Sequence, residues 1–151
     1  PAWKVVPRTV SRVGDVVDML KLPEVQTVFS PVTLTVNQVQ GADGQPWQPA
    51  ESADVLLLGD SFTNVFSAPS MGWGEAAGLA PHLARALGRE IDLIAQNDSG
   101  AFATRKLLSE ALGAGEDRLA GKKVVIWELA ARELAAGDWK PYRYDLGKPT
   151  P

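Results

Sequence analysis

A serine stands directly after the most apolar stretch of the chain, in a position suited to nucleophilic chemistry. Residues 55–58 read Val-Leu-Leu-Leu, which is typical of a strand buried on both faces, and Gly59, Asp60 and Ser61 follow. Because Gly59 permits a sharp turn, Ser61 can be lifted out at the top of a sheet. A serine hydroxyl is a weak nucleophile unless a base takes its proton. The alternative is a turn whose Asp60 and Ser61 only satisfy nearby backbone groups.

The base that Ser61 needs has one candidate in the sequence. The chain contains a single histidine, His82, and no cysteine. His82 lies in a predicted helix after the Ser61 strand, which favours a place on the helix surface over a place in a triad. The base is therefore His82 or a histidine outside these residues. One histidine without cysteine excludes thiolate sites and metal sites built on several imidazoles, so we expect no metal and no cofactor.

Two more predicted strands end in polar residues, and all three ends meet if the strands are parallel. The strand at 91–95 is followed by residues 96–100, and the strand at 122–127 is followed by residues 128–133. In open parallel sheets the site lies outside the carboxyl ends of the strands. We therefore expect these two segments beside Ser61.

Some polar and aromatic residues near these ends have more than one interpretation. Arg132 suits an anionic substrate or oxyanion, and it equally suits an ion pair with Glu128 or Glu133. The two glutamates also suggest a glycosidase pair, a weaker interpretation because a strand-to-helix passage separates them. Trp73 suits a sugar subsite, and it equally suits the core.

The elements that position these residues follow from periodicity and from turn residues. Apolar spacing predicts a first helix through residues 13–20, capped by Thr9 or Ser11 and ended by Pro23. Strands are predicted at 32–39, 55–58, 91–95 and 122–127, and further helices at 74–87, 102–112 and 130–136. This alternation predicts a parallel α/β sheet with helices on both faces. The predicted apolar stripe of the 74–87 helix consists of Leu79, Leu83, Ala86 and Leu87.

Length and charge limit the classes of protein that remain. The chain has 151 residues and a net charge of -3, which fits one domain and argues against nucleic acid as a partner. No stretch is apolar enough for membrane insertion. We divide the single domain 1–151 into a lead-in at 1–53, an α/β core at 54–139 and an irregular tail at 140–151.

The serine turn and the segment after the second core strand resemble two blocks of the SGNH (GDSL-type) hydrolase superfamily. Gly-Asp-Ser stands at 59–61, and Asn-Asp-Ser-Gly with a later Thr stands at 97–104. The resemblance implies a three-layer parallel-sheet fold with Ser61 as nucleophile. It implies oxyanion donors at the Ser61 and Gly100 backbone and at Asn97. The family's third block carries an Asn where this chain has Arg132.

Among these proteins, the chain looks most like the alginate O-acetyltransferases and their relatives in exopolysaccharide acetylation. The similar segments are residues 14–23, 59–64 and 127–139. That subgroup is circularly permuted and carries an Asp-x-His pair upstream of Gly-Asp-Ser. The resemblance therefore implies that the catalytic His and Asp lie upstream of Pro1, and that this chain is an incomplete piece of the fold.

The resemblance also implies a function. It points to an O-acetyltransferase or carbohydrate esterase that acts on a bacterial exopolysaccharide through an acetyl-serine intermediate. The implied partners are an acetylated sugar or polysaccharide and an acetyl donor, in the periplasm or outside the cell. The departures at Arg132 and at the absent histidine leave a second hypothesis, a non-catalytic carbohydrate-binding or scaffold domain that keeps the fold.

Overall fold

A computed structural model describes residues 2–98 and 100–142 of the chain. The end of the predicted tail and Ser99 of the second block lie outside the described residues. The strands are β1 (Lys4–Arg12), β2 (Val32–Gln40), β3 (Val55–Gly59), β4 (Asp92–Ala95) and β5 (Val124–Trp127). The α-helices are α1 (Asp15–Met19), α2 (Ser61–Asn64), α3 (Leu79–Leu87), α4 (Gly100–Gly113) and α5 (Glu133–Ala136).

The first part of the chain is an antiparallel hairpin of β1 and β2, and the prediction of a helix capped by Thr9 or Ser11 is wrong. Thr9 pairs with Thr35 and Ser11 pairs with Thr33. The alternating strand β2 needs a hydrogen-bonded partner, and β1 is rich in β-branched residues that suit one. The helix is reduced to α1, which begins after Gly14.

The α/β core is a parallel three-stranded sheet, as the sequence predicted, and the structure gives the strand order β4-β3-β5. In the ladder, Leu58 lies opposite Ile94 on one side and opposite Trp127 on the other. The carboxyl ends of all three strands therefore lie at one edge, and β3 is in the middle.

Helices cover both faces of the sheet, because the side chains of β3 alternate between two apolar clusters. Val55 and Leu57 pack in the cluster that contains Ala80 and Ala84 of α3. The intervening side chains pack in the other cluster; they are Leu56 and Leu58, joined by Leu108 and Leu112 of α4. The exposed fraction of Val55, Leu56, Leu57 and Leu58 is at most 5%. The buried β3 is therefore the centre of a three-layer structure.

Helix α3 begins later than its apolar spacing predicts. The backbone at Gly74 and Ala76 has positive φ, 131° and 49°, so residues 74–78 do not continue the helix. The predicted stripe is also partly wrong, because Leu79 and Leu87 are 41% and 49% exposed. Small residues, Ala80 and Ala84, pack on the sheet in their place.

A buried ion cluster lies at the other end of the sheet, where the strands begin. The side chain of Asp92, at the start of β4, is 1% exposed and lies 2.9 Å from Lys122 Nζ, which is itself nearly buried. Arg118 pairs with the same carboxylate. The two cations, Arg118 and Lys122, pair with this buried charge from within the fold. In the described ranges, no helix combines the length and the apolar character needed to cross a membrane.

Gly59 is required for close packing rather than for a left-handed turn. Its φ lies outside the positive region, but a Cβ added to it would lie 2.6 Å from Thr63 Cβ. Thr63 is fully buried. We therefore expect Gly59→Ala to lower the free energy of unfolding by about 1–3 kcal/mol in urea titrations. Gly113→Ala is the control, since nothing lies within 4 Å of that position, and loss of stability in both variants alike would contradict this explanation.

Candidate active site

Ser61 is the first residue of α2, at the carboxyl end of the central strand. The turn between β3 and α2 is one residue, Asp60, whose Oδ1 accepts a hydrogen bond from the backbone N–H of Phe62 at 2.8 Å. Such a carboxylate cap satisfies a helix N–H that has no partner within the helix. Ser61 itself is half-buried. The structure thus places Ser61 at the sheet edge that its position in the sequence indicated.

Asp60 also ties this turn to the segment after β5. Its side chain is buried, and its Oδ2 accepts from the backbone N–H of Ala130 at 3.1 Å. Both carboxylate oxygens therefore have N–H donors, as a buried anion requires.

Glu128 makes a second connection between the same two segments. Its Oε2 accepts from the backbone N–H of Asp60 at 3.0 Å and from the Thr63 hydroxyl at 2.8 Å. From the sequence, Glu128 was a candidate only for an ion pair with Arg132 or for half of a glycosidase pair. Its position directly after β5 was the available signal, but the order β4-β3-β5 was needed to place it beside Asp60.

Asn97 lies beside the serine helix. Its Oδ1 accepts a hydrogen bond from Asn64 Nδ2 at 2.7 Å, and its own Nδ2 lies 3.2 Å from Met71 Sδ. Sulfur is a weak acceptor. The side-chain N–H groups of Asn97 are therefore only weakly hydrogen-bonded and can donate to another acceptor next to α2.

A carboxylate covers the start of α4, where the resemblance implies an oxyanion donor. Gly100 has φ of 46°, and a Cβ added to it would lie 2.6 Å from Glu133 Oε1. Glu133 Oε2 accepts from the backbone N–H of Ala101 at 3.3 Å. The positive end of a helix attracts a carboxylate, which explains why Glu133 occupies this position. Gly100 therefore faces an anion of its own chain.

Arg132 lies close to the serine helix α2, and its ion pair with Glu133 is exposed to solvent. Its guanidinium lies 5.7 Å from the ring centre of Phe62, the residue after Ser61. Its Nε is 3.8 Å from Glu133 Oε1, and its side chain is 66% exposed. The ion pair with Glu133, which was one interpretation of Arg132, is therefore long and exposed. Most of the guanidinium is open to solvent, where an anionic substrate or oxyanion could contact it.

Trp73 contacts the hairpin. The guanidinium of Arg12, the last residue of β1, lies 5.8 Å from its ring centre. Arg12 also donates to the carbonyl oxygen of Met71 at 2.6 Å. Trp73 is half-buried, and this contact uses one face of its ring.

An arginine on α4 fixes the segment after α5. The guanidinium of Arg105 lies within 5.9 Å of three ring centres, those of Trp127, Trp139 and Tyr142. It donates to three carbonyl oxygens, those of Ala101, Asp138 and Lys140. Because Trp139 Nε1 donates to the Glu133 carbonyl oxygen at 2.7 Å, this cluster also helps to hold α5 over the start of α4.

An open depression of about 480 Å³ lies between α4 and α5. Its lining is mostly polar and comprises Gly100, Phe102, Arg132, Glu133, Ala136, Gly137 and Asp138. A hydrogen bond from the backbone N–H of Lys140, then one from its ammonium, lowers the pKa of Asp138 below the usual range. In the part of the chain that the structure describes, no group of three or more His, Asp or Glu side chains is arranged to hold a metal ion.

His82 is engaged elsewhere. Its Nε2 lies 2.8 Å from the carbonyl oxygen of Asn37 on β2, and no hydrogen bond joins it to Ser61 within the described residues. The histidine thus links α3 to the hairpin.

The chain folds as a parallel α/β sheet covered by helices on both faces, with a serine at the end of its central strand, which is consistent with an SGNH-like fold. The structure is similar to the O-acetyltransferase domain of Pseudomonas putida AlgJ, with a TM-score of 0.57 and 20% sequence identity. The match covers 94% of this chain and 45% of that chain, so the chain spans less than half the length of this neighbour. Neither a protein-family model nor a curated protein matches the sequence.

Asp60 is the residue on which the turn depends most directly. We expect Asp60→Ala to lower the free energy of unfolding by about 2–4 kcal/mol, because a helix cap is lost and the Ala130 N–H loses its acceptor. Asp60→Asn, which keeps one side-chain acceptor oxygen, should lose clearly less in the same urea titration. Equal losses for the two variants would mean that the carboxylate's hydrogen bonds do not stabilise the turn.

Proposed function

We propose that this chain carries the nucleophile of a serine-dependent O-acetyltransferase or carbohydrate esterase. The observation that carries the proposal is the place of Ser61, at the carboxyl end of the central strand on a turn held by Asp60 and Glu128. The likeness of the fold to an O-acetyltransferase domain supports acetyl transfer as the reaction.

In the proposed reaction, Ser61 Oγ attacks the carbonyl carbon of an acetyl donor, and its proton passes to a histidine. The donor's leaving group takes that proton as the C–O bond to it breaks, which leaves an acetyl ester on Ser61. A sugar hydroxyl then attacks the acyl carbon of this ester and gives its proton to the same base. The bond from the acyl carbon to Ser61 Oγ breaks, and the base passes the proton to Ser61 Oγ. Water in place of the sugar makes the enzyme an esterase.

The proposed base is a histidine polarised by an aspartate, both upstream of Pro1. His82 is a poor candidate because its ring already contacts the Asn37 carbonyl. The proposed oxyanion donors are the Ser61 backbone N–H and Arg132, whose exposed guanidinium adjoins α2. Asn97 is next to the same helix. The Gly100 N–H is the remaining proposed donor, and the Glu133 carboxylate lies close to it.

The proposed acceptor is a bacterial exopolysaccharide, and the proposed location is the periplasm or the cell exterior. Both follow from the resemblance in sequence. In this proposal Trp73 offers a sugar the ring face that Arg12 leaves uncovered.

Labelling by a fluorophosphonate probe tests Ser61. The comparison uses this chain, the longest natural form that contains it, and the Ser61→Ala variant of each. We expect labelling of the longer form, complete loss with Ser61→Ala, and no effect of Ser70→Ala, which changes an exposed serine nearby.

The pattern of labelling also locates the base. Labelling of the longer form but not of the 151-residue chain would support a base upstream of Pro1. Labelling of the short chain that is lost in His82→Ala would show instead that His82 acts. If every form is folded and none reacts with the probe, the proposal that this protein is a serine-dependent enzyme is rejected.

One observation favours the second candidate, a non-catalytic carbohydrate-binding or scaffold domain. Glu133 places a negative charge over Gly100, where a developing oxyanion would be repelled. In such a domain this carboxylate only stabilises the start of α4.

Replacing Glu133 separates the two candidates. If Ser61 is a nucleophile, we expect Glu133→Ala to raise the rate of fluorophosphonate labelling about two- to fivefold, because a like charge beside the oxyanion is removed. Glu110→Ala, at an exposed position on α4, is the control and should leave the rate unchanged. A Glu133→Ala protein that folds and stays unlabelled would favour the scaffold.

A further inference from the structure

Glu128 is an acidic side chain from outside the turn that binds it on both sides of Ser61. A single oxygen, Oε2, accepts from the Asp60 backbone N–H and from the Thr63 hydroxyl. We propose that Glu128 is a positioning residue that sets the orientation of Ser61 without contacting substrate. This inference rests on the proposed function, because it names a residue on which the reactivity of Ser61 depends.

The sheet places Glu128 at this point. Strand β5 pairs in parallel with β3, and Trp127 lies opposite Leu58. One residue further, the backbone N–H of Glu128 donates to the Leu58 carbonyl oxygen at 2.8 Å. The backbone of Glu128 is thus fixed to the end of β3, and its side chain reaches only as far as the turn that follows.

The turn needs such an external support. Helix α2 has only four residues, and a helix of one turn has little stability of its own. Its direction is therefore set by bonds to the rest of the fold, at Asp60 before Ser61 and at Thr63 after it. A displacement of a nucleophile by about 1 Å can cost on the order of 100-fold in rate.

The geometry provides a conservative test variant. Because both bonds end on the same oxygen of Glu128, the amide oxygen of Glu128→Gln can accept both. Glu128→Leu has a similar volume and no acceptor. Thr63→Val removes one bond and leaves the bond to the Asp60 N–H.

The first measurement is amide hydrogen exchange in the 151-residue chain, which needs no catalysis. We expect Glu128→Leu to raise the exchange rate of the Asp60 amide at least about tenfold relative to the Leu57 amide. Glu128→Gln and Thr63→Val should stay within about threefold of the wild type. Unchanged exchange of Asp60 in Glu128→Leu would overturn the proposal.

The second measurement is the reactivity of Ser61 in the longest natural form. We expect Glu128→Leu to lower the rate of fluorophosphonate labelling at least about tenfold, and to lower kcat for p-nitrophenyl acetate with little change in KM. Glu128→Gln should keep most of both rates. A wild-type rate in Glu128→Leu would overturn the positioning role. An unlabelled wild type would reject the proposed function, and the exchange comparison would then still decide whether Glu128 orients the turn.

Discussion

The burial of β3 on both faces is the constraint on which the rest of the structure depends. Leu57 packs under α3 and Leu58 packs under α4, so neither helix can be removed without exposing the central strand. Full burial of each of these leucines contributes about 1.5–3 kcal/mol. Because β4 and β5 pair with β3 in parallel, the same constraint brings three strand ends to one edge.

A polar layer lies on this apolar core, and its bonds run between strand ends. Asp60 receives an N–H from Ala130, and Glu128 receives the N–H of Asp60. One of these carboxylates lies on the segment after β3 and the other on the segment after β5, and each accepts an N–H from the other segment. The hydrogen bond between Asn64 and Asn97 joins α2 to the segment after β4. The turn that carries Ser61 is therefore held by both neighbouring strands of the sheet.

The electrostatics of the edge set a condition on any acyl transfer at Ser61. Three carboxylates, those of Asp60, Glu128 and Glu133, accept backbone or hydroxyl hydrogen bonds there. A developing oxyanion among them needs a counter-charge, and Arg132 is the cation placed over the ring that follows Ser61. The position of Arg132 relative to Glu133 thus decides whether this edge favours or opposes such a charge.

Local pattern alone predicted the strands at 32–39 and 55–58, the helix at 102–112 and the place of Ser61, because periodicity and turn residues act within a few positions. The structure has these elements at 32–40, 55–59 and 100–113. The resemblance added the family of folds, and the structure agrees with it. Only tertiary structure decided that Thr9 lies in a strand, since β1 forms by pairing with β2. It also decided the hydrogen bonds of Glu128, whose partner Asp60 is 68 residues away. Such a bond depends on which strands are neighbours, and no local spacing records that order.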